Sequence, residues 1–339
     1  MQEWINWQSW KDCVHGCTEG SNPSLSAIPY NMLILWIIIF IISLIVLVKG
    51  ADWLIMSAEK IGLAFGLSPF IVGVTIVGIG TSSPELVSSL AAVFRGVTDV
   101  VVANTVGSNI ANILLIIGIS AIASKKLVVD KSLIDLDLPL LAISTVLFLG
   151  VVWDKQITLG ESILMLITYI IYLFYTILNK DTEDEKIIRP KLTIKDFVFL
   201  VLGILGLVFG AKYLIEALIE LSTILNLATG VISITALAIG TSLPELIVSV
   251  KAASQNKPEV ALGNIFGSNV FNTLIVTSVP GLFSVLVVDS QTFNIGIPVM
   301  ALVTLLFVIS GISKRIHMWE GAFYLSIYVL FLAKIFNWF

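Results

Sequence analysis

Gly78-Ile-Gly-Thr-Ser-Ser-Pro-Glu85 lies within an apolar run as long as a membrane helix. It places a carboxylate, Glu85, at hydrocarbon depth, where an ionisable side chain is costly and marks an ion path or a relay. Pro84 has no backbone N–H, so a carbonyl one turn earlier loses its helical donor. Gly78 and Gly80 permit close approach or an unwound backbone. Thr81, Ser82 and Ser88 or Ser89 add hydroxyls at helical spacing from Glu85. The stretch recurs at 238–245 as Ala-Ile-Gly-Thr-Ser-Leu-Pro-Glu. A buried acid, a broken helix and a duplication together imply movement of a cation across a membrane.

Composition sets the class. Of 339 residues, 57% are hydrophobic and 12% charged, and the mean hydropathy is +1.02. A soluble domain of this size has no use for so much apolar surface, and the apolar runs repeat near the ~20 residues that span a bilayer. The expected fold is an all-α polytopic membrane protein with ten transmembrane helices, arranged as two inverted five-helix repeats. The expected spans are 32–60, 69–94, 99–123, 133–152, 158–179, 196–221, 229–254, 258–286, 294–313 and 319–337. Residues 1–30 form a polar N-terminal segment without a signal-peptide pattern. Trp4, Trp7 and Trp10 share one face of it if it is helical, which suits a headgroup-level surface helix. Cys13 and Cys17 are the only cysteines. They pair if that end meets an oxidising side and otherwise stay as free thiols. With His15 between them they are weak evidence for a metal site.

The strongly polar stretch Lys180-Asp-Thr-Glu-Asp-Glu-Lys186, continuing to Lys195, separates a first repeat, 31–180, from a second, 196–339; the linker is 181–195. With the N-terminus outside, Lys60, Lys125, Lys126, Lys131, Lys180, Lys186, Arg189, Lys191, Lys195, Lys251, Lys257, Lys314 and Arg315 fall inside. Lys11, Arg95, Lys155 and Lys334 fall outside. This bias puts the linker in the cytoplasm and both termini outside the cell.

One offset of 160 relates the halves without a gap. Gly50-Ala51 matches Gly210-Ala211, Asn104 matches Asn264, Gly107-Ser-Asn109 matches Gly267-Ser-Asn269, and Asn112 matches Asn272. Five helices per half is an odd number, so the second half enters from the opposite side. Asp52 corresponds to Lys212. Symmetry allows an ion pair between them, although the plainer reading, each at a helix end facing water, is preferred.

Thr81, Glu85 and Ser88 follow i, i+4, i+7, while Ser82, Glu85 and Ser89 follow i, i+3, i+7; Ser108 and Asn112 are at i, i+4. Thr241, Ser242, Glu245, Ser249, Ser268 and Asn272 repeat the set. Together they offer carboxylate, amide, hydroxyl and freed carbonyl oxygens, the donors hard cations such as Ca²⁺ and Na⁺ take. No thiolate or imidazole lies among them, which argues against zinc and copper. Taken singly, each hydroxyl or amide is ordinary helix glue. The two acids are not, and the repetition of the whole set raises the hydroxyls and amides with them.

The paired motifs GIGTSSPEL with GSNIAN, and AIGTSLPEL with GSNVFN, resemble the alpha repeats of the sodium/calcium exchanger family, within the wider cation/calcium antiporter superfamily. The resemblance implies exchange of Na⁺ for Ca²⁺ across the plasma membrane at one central site, with no cofactor and no nucleic-acid partner. It implies that Glu85 and Glu245 bind Ca²⁺ and share the Na⁺ sites. Thr81, Ser82, Ser108, Thr241, Ser242 and Ser268 would add hydroxyl oxygens, Gly78 and Ala238 backbone carbonyls, and Asn112 and Asn272 would fill the remaining central positions. Potassium-dependent relatives, and some microbial members, carry aspartate at the position of Asn272, so the asparagine here argues against potassium co-transport. The short linker leaves no room for the large regulatory calcium-sensing domains of animal exchangers. A monomer is expected to suffice. Proton-driven Ca²⁺ exchange is the alternative within transport. A cation channel is disfavoured by the in-chain repeat, since channels build acidic rings by oligomeric symmetry. An enzyme is disfavoured by the lack of an H-E-x-x-H motif.

Overall fold

The computed structural model describes residues 30–124, 126–128, 138–178, 190–224, 240–313 and 315–335. The expectations for the tryptophan-rich N-terminal segment, for Cys13 and Cys17, for most of the linker and for Ala238 fall outside these residues.

The helices are Tyr30–Ala64 (α1), Pro69–Phe94 (α2) and Asp99–Ala123 (α3), then Leu138–Val151 (α4) and Leu159–Leu178 (α5). The second half supplies Ile194–Ile224 (α6), Leu243–Ser254 (α7), Pro258–Gly281 (α8), Thr292–Ile312 (α9) and Met318–Ile335 (α10). Among the described residues, eight helices are long and apolar enough to cross a membrane; α4 continues as a shorter apolar helix to Asp154, and α7 is described only in its second part. This is a multi-pass membrane protein. Its outer helices turn Ile34, Ile41, Ile45, Phe174, Val201, Phe323 and similar side chains outward, a surface that suits lipid and not water. The most hydrophobic stretch of α8, by contrast, is wholly buried. The core therefore sits around α8, with α2, α3 and α7 against it.

Lipid offers helices no hydrophobic reason to associate, so close backbone packing must hold them. Two crossings show this. Between α1 and α6, a Cβ on Gly203 would fall 2.7 Å from Leu54 N, and one on Gly210 would fall 2.9 Å from Leu47 N. Between α2 and α8, a Cβ on Gly267 would meet Val74 O at 2.1 Å, and one on Gly263 would meet Phe70 O at 2.3 Å. Only glycine allows these backbones to touch.

Two short antiparallel ribbons were not anticipated in an all-α reading. Lys126–Val128 (β1) pairs with Arg315–His317 (β4), and Gln156–Ile157 (β2) pairs with Leu286–Val287 (β3). Leu127 faces Ile316 in the first ribbon and Gln156 faces Val287 in the second. Adding 160 to 127 and subtracting 160 from 316 turns the first pairing into the second. The ribbons also correct one boundary. The eighth span ends at Gly281 and not at 286, because Leu286 and Val287 hydrogen-bond as a strand. Asp52 pairs with Lys251 at 2.8 Å, whereas Lys212 lies 3.7 Å from Glu216 on its own helix, so the conceivable Asp52–Lys212 pair does not form.

The glycine crossing predicts a contrast. Gly203→Val should destabilise the folded protein by about 1–3 kcal/mol through overpacking. Gly160→Ala, which meets no described atom within 4 Å, should be neutral or stabilising by up to ~1 kcal/mol. Thermal midpoints of detergent-purified variants followed by intrinsic fluorescence would show equal shifts only if the α1–α6 contact did not matter.

Candidate cation-binding site

The break in α2 falls at Ser82, whose φ and ψ of −87° and 3° leave the helix; the arm after it, Ser83–Phe94, has Pro84 in its first turn. Ser242 adopts −90° and 8° before Leu243-Pro244 at the start of α7. Each proline lacks the N–H that would bond Gly80 or Gly240 one turn back. Glu85 and Glu245 therefore sit in the first turns of two half-helices, where the positive end of the helix dipole favours a carboxylate. Their equivalence in backbone angles follows from equivalent sequence.

The carboxylates are closed off from solvent, Glu85 at 1% and Glu245 at 0% exposure. Ser82 Oγ donates to Glu245 Oε1 at 2.8 Å, which joins the two broken helices across the repeats. Both oxygens of Glu85, Oε2 of Glu245 and Oγ of Ser242 have no hydrogen-bond partner among the described residues. Asn112 and Asn272 are equally buried, and neither amide finds a hydrogen-bond partner among the described residues. Each opens a π-helical turn, Asn112–Ile116 and Asn272–Val276. Such a turn widens a helix locally and recurs at functional sites.

Thr81 Oγ1 donates to Asn264 Oδ1 at 3.0 Å and lies 3.4 Å from Ser268 Oγ. Thr81 and Ser268 thus meet, as their motifs suggest. Thr241 and Ser108 stand apart from that contact and line a cavity of about 340 Å³ that also reaches Asn104, Asp289 and Gln291. The Gly78 carbonyl accepts Ser82 N–H at 3.0 Å and Thr81 Oγ1 at 3.3 Å. Asn109, the third residue of GSN, donates instead to Thr273 Oγ1 at 2.7 Å and to Asn269 O at 3.3 Å, and so ties α3 to α8.

An unpartnered carboxylate in a dry core is held at a cost of several kcal/mol unless a counter-charge arrives. Two such carboxylates, with the amides of Asn112 and Asn272 and the Ser242 hydroxyl also buried and unpartnered among the described residues, offer oxygens of the kind a hard cation takes. Sequence reasoning counted Ser249 among the candidate donors and noted Asn264 only as a repeat match. Asn264 Nδ2 donates to Ser249 Oγ at 2.8 Å and to Glu245 O at 3.4 Å, so this amide supports the site from behind. The available signal was the i, i+4, i+8 spacing of Asn264 with Ser268 and Asn272, which puts all three on one helix face.

Residues 35–178 and 195–337 match the family described as sodium/calcium exchanger protein. The chain belongs to that family. Its two matched blocks are the two halves of the fold. Among relatives of this exchanger chain, the sodium/calcium exchanger MaX1 of Methanosarcina acetivorans is 32% identical, over 88% of this chain and 98% of that protein. The uncharacterized membrane protein MJ0091 of Methanocaldococcus jannaschii is 32% identical, over 90% of this chain and 99% of that one. Among solved structures, the sodium-calcium exchanger NCX_Mj soaked with 10 mM Na⁺ and zero Ca²⁺ aligns with a TM-score of 0.78 at 31% identity, over 89% of this chain and 99% of that one. Membership in the family supports cation/Ca²⁺ antiport.

The donor set predicts a binding signature independent of transport. Millimolar Ca²⁺ should raise the thermal midpoint of the detergent-purified protein, since a ligand bound only to the folded state stabilises it. Glu85→Gln and Glu245→Gln should each lose most of that rise. Midpoints that respond to Ca²⁺ equally in all three proteins would place the cation elsewhere.

Proposed function

We propose that this exchanger is a secondary active antiporter that moves Ca²⁺ against Na⁺ by alternating access at one central site. The reading rests chiefly on Glu85 and Glu245, buried together with three of their four carboxylate oxygens unpartnered among the described residues. In it, both acids bind Ca²⁺ directly and share the Na⁺ sites. Thr81, Ser82, Ser108, Thr241, Ser242 and Ser268 contribute hydroxyls, Gly78 and Ala238 carbonyls, and Asn112 and Asn272 the remaining central positions. Transport is independent of potassium, because Asn272 supplies no third acid.

The chain is organised as ten spanning helices in two inverted five-helix repeats, 31–180 and 196–339. The equivalent breaks at Ser82 and Ser242, the π-turns at Asn112 and Asn272 and the two ribbons with interchangeable register support this arrangement. Residues 1–30 and the C-terminus are extracellular, 181–195 is cytoplasmic, the membrane is the plasma membrane and a monomer suffices.

Charge bookkeeping defines the coupling. Two ionised carboxylates with one Ca²⁺ sum to zero. With about three Na⁺, the load that the family resemblance implies, they sum to about +1. The Na⁺-loaded step then senses voltage, at ~2.3 kcal/mol per charge per 100 mV if the full field is crossed.

In proteoliposomes loaded with Na⁺, Ca²⁺ uptake should require the outward Na⁺ gradient and be unchanged by K⁺. An interior-positive potential should accelerate it, because net positive charge leaves with Na⁺. Glu85→Gln and Glu245→Gln should each abolish uptake, since Ca²⁺ would face one carboxylate where lost attraction is large. Uptake driven by a proton gradient without Na⁺, and indifferent to voltage, would replace Na⁺ with H⁺ as the coupling ion. A passive conductance would replace the antiporter with a channel.

Topology is checked separately. With Cys13 and Cys17 removed, a cysteine replacing Asp184 should react with an impermeant thiol reagent only in inside-out vesicles. Labelling from the cell exterior would reverse the orientation.

A further inference from the structure

Asn264, Thr81 and Ser249 form a bonded trio. The Asn264 amide accepts from Thr81 Oγ1 of α2 at 3.0 Å and donates to Ser249 Oγ of α7 at 2.8 Å. The offset of 160 maps this trio onto Asn104, Thr241 and Ser89. There the bonds are missing. Asn104 Nδ2 and Ser89 Oγ are buried without a partner among the described residues, and Thr241 and Asn104 both line the 340 Å³ cavity. The same chemistry is therefore closed in one half and open in the other.

Location gives the difference a meaning. The α2–α8 contact that carries Thr81 and Asn264 begins at Pro69 and Pro258, on the side of the membrane that also holds Lys60 and Lys257. It is the side sealed by the glycine contacts around Gly73, Gly78, Gly263 and Gly267. The cavity reaches Asp289, Gln291 and Ile335, which belong to the opposite side. In the proposed topology, the bonded trio is inner and the open trio outer.

We propose that the two asparagines are paired gate residues. The Thr81–Asn264–Ser249 interlock closes the inner access path, and its twin Thr241–Asn104–Ser89 closes the outer path, one forming as the other breaks. Thr81 and Thr241 carry hydroxyls assigned to the ion site, so each interlock competes with or reports on ion occupancy. Ser249 anchors the Asn264 amide from behind, and Ser89 would do the same for Asn104 when the outer interlock forms. A buried amide deprived of its partners carries a penalty. That penalty keeps either gate from idling half-made and drives the open amide to take up water or its interlock.

The inference rests on the alternating-access reading, and the test separates the two. In a background lacking Cys13 and Cys17, Ala103→Cys on the cavity wall serves as reporter. Its reaction with an impermeant thiol reagent added outside is timed, and Na⁺-driven Ca²⁺ uptake is measured on the same vesicles. Asn264→Ala should loosen the inner seal, shift molecules away from the outward-open state and slow labelling by about three- to tenfold, the scale of one or two lost hydrogen bonds. Asn104→Ala removes the means of closing the outer path and should speed labelling. Opposite signs for one substitution at equivalent positions are not what simple destabilisation gives. Ser249→Ala and Ser89→Ala should reproduce the two directions more weakly, and they replace the asparagine variants if either fails to fold. Labelling that changes in the same direction in both halves, or in neither, overturns the gate assignment even where uptake is normal. Absence of Na⁺-driven uptake in the reporter protein itself, with opposite labelling shifts intact, overturns the antiport reading and leaves the gates standing.

Discussion

The cost of holding two carboxylates away from water governs this structure. Glu85 and Glu245 are sealed from solvent, and among the described residues only Glu245 Oε1 has a hydrogen-bond partner, Ser82. A protein selected for stability alone would replace such a pair with apolar residues. Here the surrounding helices are bent to keep it. Pro84 and Pro244 stand in the first turns of the half-helices that carry the acids, and α3 and α8 each widen into a π-turn at Asn112 and Asn272. On the proposed reading, that penalty is met when a hard cation enters, which ties affinity to conformational preference.

Such a centre needs rigid walls that are nonetheless separable. In lipid those walls come from backbone contact, and a glycine contact has a useful property: it is tight when made and leaves no side chain to entangle when parted. The α2–α8 face, with Gly73 and Gly78 against Gly263 and Gly267, has this character. The α1–α6 crossing has it too, through Gly50, Gly203, Gly206 and Gly210.

Much of this was legible in the sequence because its strongest signals are local. A Pro-Glu step in an apolar run fixes both the break and the acid, and the duplication of GTS-x-PE and GSN-x-x-N nominates the candidate donors. Spans ending at charged or glycine-rich turns came out close, as for α3 and α5. What escaped depends on distant partners. Leu286-Val287 reads as helix until Gln156-Ile157 is known to lie beside it. Asp52 was assigned to water because its partner, Lys251, lies 199 residues away and has no counterpart under the repeat. Asn264 was visible as a repeated residue, but only its contacts with Thr81 and Ser249 distinguish a support from a ligand.

Exact duplication would give a molecule indifferent between its two faces, and the rim of this one is not duplicated. On the lysine-rich side, Lys60 pairs with Asp196 at 2.7 Å, Lys251 with Asp52 at 2.8 Å, and Lys257 with Glu59. The last two fasten α1 to α7 and to the entry of α8. The offset of 160 maps Lys251 to Ala91, Lys257 to Val97 and Asp196 to Trp36. None of these can carry charge, so the repeat supplies no counterpart of these three pairs on the opposite side. Each pair is partly exposed and worth no more than ~1 kcal/mol. Between two arrangements of nearly equal energy, even two such pairs favour one by a factor of several. The face they hold is the one where the glycine contacts are closed and Asn264 is bonded. On the proposed alternating-access reading, symmetry in the core would supply two equivalent routes to one pair of acids, and asymmetry at the rim would bias which of them stands open.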